Sequence, residues 1–167
     1  LTVASYMIEG GGSRDFTHLR HLIYRHPQSF ARLIEQLTCH TLVYLKAQVA
    51  SGAQALMLFD TWAGALHPLT YQRFVMPSLS KLVEDLAPLN VPIIYYAGSS
   101  PLILEQASQL PFHVLAVDWK IPFAAAQKSI SHAKVSLQAW SEHEESDDPI
   151  VKKDALKRHI KSVKDHI

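Results

Sequence analysis

The segment Phe59-Asp60-Thr61-Trp62-Ala63-Gly64 follows directly on an apolar run and sets a carboxylate, a hydroxyl and an indole at what reads as a strand end. A second cluster, Ser5-Tyr6-Met7-Ile8-Glu9-Gly10-Gly11-Gly12-Ser13, also follows a short apolar segment and breaks into glycines. Tyr and Thr hydroxyls can donate hydrogen bonds to a carboxylate without neutralising it, so Tyr6 and Thr61 are the first candidates for contact with a substrate. Each has a plainer reading: Tyr6 as a half-buried strand tyrosine bonded to a backbone carbonyl, Thr61 as a cap on the helix after its loop. Asp60 reads as structural, holding a backbone amide or an arginine. The run Gly10 to Gly12 offers backbone freedom either for a mobile loop over a site or for a plain turn. Of the ten histidines, His18 and His21 share helical spacing while His40, His113 and His132 are scattered, and no cysteine or carboxylate completes a metal-binding set. Cys39, the one cysteine, falls in a helical pattern where a buried, inert thiol is expected.

The elements that position these clusters alternate. Leu1-Thr2-Val3-Ala4-Ser5-Tyr6 reads as the end of a strand. Further short apolar runs, Ala55–Phe59, Val91–Tyr96, Val114–Val117 and Val135–Gln138, each end in polar or glycine residues. Their carboxyl ends carry Asp60, Thr61, Gly98, Asp118 with Trp119, and Gln138. Between them run helical periods. Phe30, Leu33, Leu37, Tyr44 and Leu45 mark a long helix opening at Pro27. Phe74, Leu79, Leu82 and Val83 mark another from Thr70 as N-cap, with a kink or break at Pro77. Shorter helices are expected near Pro101 and Pro122, and a last one from Pro149 with Val151, Leu156, Ile160 and Val163 along one side.

Near-continuous apolar strands separated by helices imply a parallel sheet, and hence an α/β class. Ligands in such folds sit at the carboxyl ends of the strands, where the polar residues collect here. A doubly wound sheet would show a phosphate loop after its first strand, and Glu9-Gly10-Gly11-Gly12-Ser13 is too compact for one, which favours a barrel. The 167 residues fit one domain, and 48% hydrophobic content supports a packed core. Sixteen Lys and Arg against 15 Asp and Glu leave no field for nucleic acid or an anionic membrane. A lone cysteine excludes an internal disulfide and fits a reducing, cytoplasmic setting. The stretch Leu1–Tyr6, without a basic region, does not read as a signal peptide, and no apolar run approaches the roughly 20 residues that span a bilayer.

The order Ser5-Tyr6-Met7-Ile8-Glu9-Gly10-Gly11-Gly12-Ser13, Gly52-Ala53-Gln54-Ala55, Phe59-Asp60-Thr61-Trp62-Ala63-Gly64, Val117-Asp118-Trp119 and Leu137-Gln138 resembles the uroporphyrinogen decarboxylase family over nearly the whole chain. The resemblance implies a (β/α)8 TIM barrel, usually a homodimer, acting as a lyase of haem and porphyrin biosynthesis. It removes four acetate carboxyls from uroporphyrinogen III, a tetrapyrrole, to give coproporphyrinogen III without cofactor or metal. It places substrate contact and catalysis on Tyr6 and Thr61 and an apolar wall on Phe59, while Asp118 and Gln138 are second-tier candidates from their strand-end positions, Asp118 with a loop anchor as its plainer reading. It further implies that the family's substrate-holding aspartate and arginines precede Leu1 and that its late histidine follows Ile167. Residues 1–167 then form a single partial barrel of roughly five strand-helix units, since a whole barrel takes about 250 residues. As an isolated segment it is expected to be inactive. The chain departs from the family at Ala139-Trp140-Ser141-Glu142-His143, where Gly-Asn-Leu-Asp-Pro is usual. Ala139 and Trp140 add bulk there, and the acidic run from Glu142 to Asp148 suits a polyacid substrate only if it faces solvent. Two other readings stand beside the lyase: a non-catalytic remnant that binds porphyrinogens or pairs with a partner chain, and a related methyltransferase acting on a corrinoid or thiol.

Overall fold

A computed structural model of the chain describes residues 1–98, 100–118 and 120–139. Ser99, Trp119, Trp140, the acidic run and the helix expected from Pro149 lie outside the described residues.

Four strands, β1 (Leu56–Phe59), β2 (Ile93–Tyr96), β3 (Val114–Val117) and β4 (Ser136–Ala139), form one parallel sheet in the order β1-β2-β3-β4. All fall within the apolar runs read from the sequence, β4 extending one residue past Gln138. Spatial order follows chain order, so among the described residues there is no reversal of the kind that defines a doubly wound sheet.

The register sorts the side chains by face. Leu58, Tyr95, Leu115 and Leu137 form one row across the sheet, and Phe59, Tyr96, Ala116 and Gln138 form the next, on the opposite face. The main apolar core takes in Leu56, Ile93, Tyr95, Leu115 and Val117, all of the first face, together with the buried stripes of the helices. Tyr96, Val114 and Ala116 are buried too but stand outside that core, so helices cover one face and the other is organised separately.

The segment expected to be a strand at Leu1–Tyr6 is instead the helix α1 (Thr2–Glu9), which leaves four strands among the described residues. Ala4 is buried and Ile8 packs against the core, a spacing of four that suits a helix. Gly10 adopts φ +74 and bonds its N–H to the Tyr6 carbonyl, so its freedom ends a helix. The glycine run is therefore the plain turn into α2 (Thr17–Arg25), a helix the sequence reading had not drawn. Leu19 and Ile23 are its buried stripe, and Glu9 Oε1 accepts the Leu19 N–H at 2.8 Å, capping α2 from outside.

The long helix α3 (Pro27–Ala50) opens at Pro27 as expected. It buries Phe30, Ile34 and Leu45, whereas Tyr44 is 64% exposed, one residue off the stripe. Cys39 is exposed, not buried. Pro77 breaks the next pattern in two, giving α4 (Pro68–Phe74) and α5 (Met76–Leu86). The N-cap of α4 is His67, whose Nδ1 accepts the Leu69 N–H at 3.2 Å, and not Thr70. The remaining helices, α6 (Pro101–Ala107) and α7 (Phe123–Ser129), start at or beside the prolines that announced them.

Candidate functional site

Asp60 leaves β1 buried, at 5% exposure, and joins two parts of the chain. Its Oδ1 accepts the backbone N–H of Thr2 at 2.7 Å and the Thr2 hydroxyl at 2.9 Å. The Thr2 Oγ1 in turn accepts the Trp62 N–H at 3.1 Å. A carboxylate 58 residues away thus supplies the start of α1 with the acceptor that its own N-cap, Leu1, lacks. On its other side, Asp60 Oδ2 accepts the Leu1 nitrogen and the Tyr95 hydroxyl, each at 3.2 Å. The Tyr95 hydroxyl has one proton and gives it to Asp60, so Tyr71, 3.0 Å away on α4, is the donor between the two tyrosines. Burial pushes the Tyr95 phenol well above its ordinary value, and the Asp60 charge adds to this. Burial raises Tyr71 as well. Both remain protonated donors throughout the neutral range. The expected structural role of Asp60 is therefore met by a helix N-terminus and a tyrosine.

The same linkage brings Tyr6 against Trp62, the residue after Thr61. Tyr6 lies one helical turn after Thr2, on the same face of α1, and is 46% exposed with its ring edge-on to Trp62 at 6.5 Å. Phe16 holds Trp62 from another side at 5.2 Å. Phe16 has φ +49, rare for an aromatic residue, and Ser13 Oγ accepts its N–H at 3.0 Å. Tyr6 is thus a helix residue, not the strand-end residue expected. Thr61 is exposed in the loop after β1, and the 3-10 turn Ala63–Ala65 is preceded by Trp62, so Thr61 caps no helix. Beneath it Gly98, at φ +67, comes so close that a Cβ would lie 2.6 Å from the Thr61 carbonyl oxygen. Only glycine fits between the loops after β1 and β2.

Phe59 is 53% exposed at the carboxyl end of β1, in edge contact with Tyr96 at 6.1 Å. Tyr96 donates to Asp118 Oδ2 at 2.8 Å, and Asp118 Oδ1 accepts the Lys120 N–H at 3.1 Å. Gln138, in the same row as Phe59 and Tyr96, has a buried Oε1 with no hydrogen-bond partner. An unpaired buried acceptor at a strand's carboxyl end is unusual enough to call for a donor. The structure thus places Phe59, Asp118 and Gln138 along one face and edge, and Tyr6 and Thr61 on the adjoining rim. Sequence reading missed Tyr95, Tyr96 and Tyr71. The available signal was the pair Tyr95-Tyr96 within a buried strand, since adjacent phenols must find partners on opposite faces.

Among the described histidines, the His21 and His26 rings lie 6.0 Å apart. His113 Nδ1 accepts the Ile93 N–H at 3.1 Å, His18, His21, His40 and His132 are exposed, and no group of three or more metal-ligating side chains occurs among the described residues. No helix among the described residues is long and apolar enough to cross a membrane.

Residues 1–138 match the family model described as uroporphyrinogen decarboxylase (URO-D). A protein named uroporphyrinogen decarboxylase from Geobacter sp. (strain M21) is 38% identical over 126 residues, covering 75% of this chain and 37% of the relative. Proteins of the same name from Geotalea uraniireducens (strain Rf4) and Desulfotalea psychrophila (strain LSv54 / DSM 12343) are 33% and 34% identical, covering 98% and 99% of this chain. The chain spans 47% and 50% of the length of those two relatives.

Proposed function

The chain belongs to the uroporphyrinogen decarboxylase family, and on that premise we propose that the complete protein is a carboxy-lyase converting uroporphyrinogen III to coproporphyrinogen III in porphyrin biosynthesis. The observation that carries the reading is the union of the two family motifs at one end of the sheet, with the Tyr6 and Thr61 segments joined through Asp60 and Thr2. We read the four-stranded parallel sheet in chain order, with helices covering one face, as part of the wall of a (β/α)8 barrel, and the chain as one partial domain of it. In such a barrel the row of Phe59, Tyr96 and Gln138 faces the interior, where a ligand enters from the carboxyl ends.

The chemistry asks little of a cofactor. A pyrrole protonated on carbon is an electron sink, so when the bond from an acetate methylene to its carboxylate breaks, the electrons enter the ring. CO2 departs, a proton delivered to the methylene carbon makes a methyl group, and loss of the proton first placed on the ring carbon restores the neutral pyrrole. The protein has to orient the scissile acetate and support the cationic ring. The Tyr6 and Thr61 hydroxyls serve as donors to the substrate carboxylate and Phe59 as the apolar wall beside them. Asp118 and the unpaired Gln138 carbonyl serve as acceptors further along the face. We place the enzyme in the cytoplasm, as a homodimer.

The test is anaerobic incubation of the full-length protein with uroporphyrinogen III and chromatography of the oxidised products. Stepwise loss of four carboxyls is expected, and Tyr6→Phe should slow it by about one to two orders of magnitude. No decarboxylation by the full-length protein overturns the activity, and unchanged turnover in Tyr6→Phe removes Tyr6 from the site.

A further inference from the structure

We propose that Asp60 and Thr2 form a positioning clamp that sets the Tyr6 hydroxyl relative to Thr61, with Tyr95 and Tyr71 as its buried anchor. The inference rests on the substrate-contacting roles given above to Tyr6 and Thr61.

Three bonds close the clamp. The Thr2 N–H and Oγ1–H both go to Asp60 Oδ1, and the Trp62 N–H goes to Thr2 Oγ1. Asp60 and Trp62 flank Thr61 in sequence, so Thr2 is bonded to the residues on both sides of it. Four residues after Thr2, Tyr6 rides on the same face of α1 and rests against Trp62. A rotation of α1 about its first turn would therefore carry the Tyr6 ring off Trp62, the residue next to Thr61, and the clamp blocks that rotation. A side chain misplaced by about 1 Å is enough to lower a rate by two orders of magnitude, so the clamp acts on catalysis without touching substrate.

The anchor explains why Asp60 itself stays fixed. Its Oδ2 accepts from Tyr95, which is fully buried, stacked on Phe112 at 4.6 Å, and bonded to Tyr71, also fully buried. The carboxylate is held from the helix-covered side of the sheet, while what it holds lies at the open end. Asp60 and Thr2 are thus positioning residues.

The experiment is a double-mutant cycle in the full-length protein with Thr2→Val, which keeps the shape and deletes the hydroxyl, and Tyr6→Phe. Thr2→Val is expected to lower kcat about tenfold with KM within about twofold, and Thr2→Ser to restore it. In the Thr2→Val background the Tyr6→Phe penalty should shrink to about threefold or less, because a displaced hydroxyl has little left to lose. Additive penalties, or a Thr2→Ser variant no better than Thr2→Val, overturn the clamp. Amide hydrogen exchange gives a readout that does not depend on the reaction. Thr2→Val should speed exchange at the start of α1 and at the Trp62 amide about tenfold, leaving α2, capped by Glu9, unchanged. Unchanged exchange at α1 and Trp62 overturns the clamp even if the protein proves to catalyse another reaction. Intact exchange effects with an inert Tyr6→Phe substitution would instead sink the substrate role of Tyr6 alone.

Discussion

Tyr95 and Tyr96 are neighbours on β2, and each gives its hydroxyl proton to a buried aspartate, yet the two pairs lie on opposite faces of the sheet. Tyr95 reaches Asp60 from the helix-covered face, and that carboxylate also takes both donors of Thr2. Tyr96 reaches Asp118 on the face that carries Phe59 and the unpaired Gln138 carbonyl. The same chemical pair therefore serves two ends. On one face it fastens the framework, and on the other it shapes a surface on which a ligand can be held.

The sharpest way to break this contrast is to remove the two carboxylates in turn in the full-length protein. Asp60→Ala strands the Thr2 and Tyr95 donors in a buried setting and is expected to destabilise by about 3 kcal/mol, read by urea unfolding. Asp118→Ala strands one hydroxyl and one amide nearer the edge and should lower stability by about 1 kcal/mol. Equal losses would abolish the distinction. The phenols should follow the same ranking at lower amplitude. Tyr95→Phe takes from Asp60 Oδ2 its phenol donor and from the Tyr71 hydroxyl its acceptor, for about 2 kcal/mol, whereas Tyr96→Phe should fall below about 1 kcal/mol and show itself in KM. A Tyr96→Phe enzyme with unchanged KM and turnover would take that pair out of the site.

Alkaline titration sharpens the comparison further. The Tyr95 and Tyr71 phenols are raised by burial above the unfolded value of about 10, so the folded state keeps protons that the unfolded chain releases. The stability they protect is complete below about pH 10 and declines as pH climbs toward the folded values, by about 1.4 kcal/mol per pH unit for each phenol. Tyr95→Phe should flatten that decline by one proton's share. A slope identical to the wild type would mean that Tyr95 is not the group responding.

Runs such as Val114–Val117 announced their strands because a buried parallel strand has no polar face to blur its boundaries, and prolines at 27, 101 and 122 announced helix starts for the same local reason. What stayed hidden depended on distant partners. Thr2–Glu9 reads as a strand from its apolar and β-branched content, and becomes a helix because Asp60 supplies its cap. Tyr44 was misplaced by a single position in the α3 stripe, an error of one helical step of about 100°. For the site, Tyr6, Thr61 and Phe59 were legible as members of motifs. The bonds that bring Tyr6 to Thr61 were not, since no local pattern in Thr2 or Tyr95 reveals a partner 58 or 35 residues away.

The two foreign caps also differ in time. Glu9 closes a loop of only 10 residues to reach Leu19, while Asp60 must wait for a closure of 58 to reach Thr2. By chain-closure entropy the second contact starts about 1.5 kcal/mol behind the first. In a refolding trajectory α2 can therefore be capped while the chain is still searching, whereas the Asp60 contact to α1 waits until β1 has docked. The helix that carries Tyr6 is on this account among the last elements to settle, and pulse labelling during refolding should find its amides protected later than those of α2.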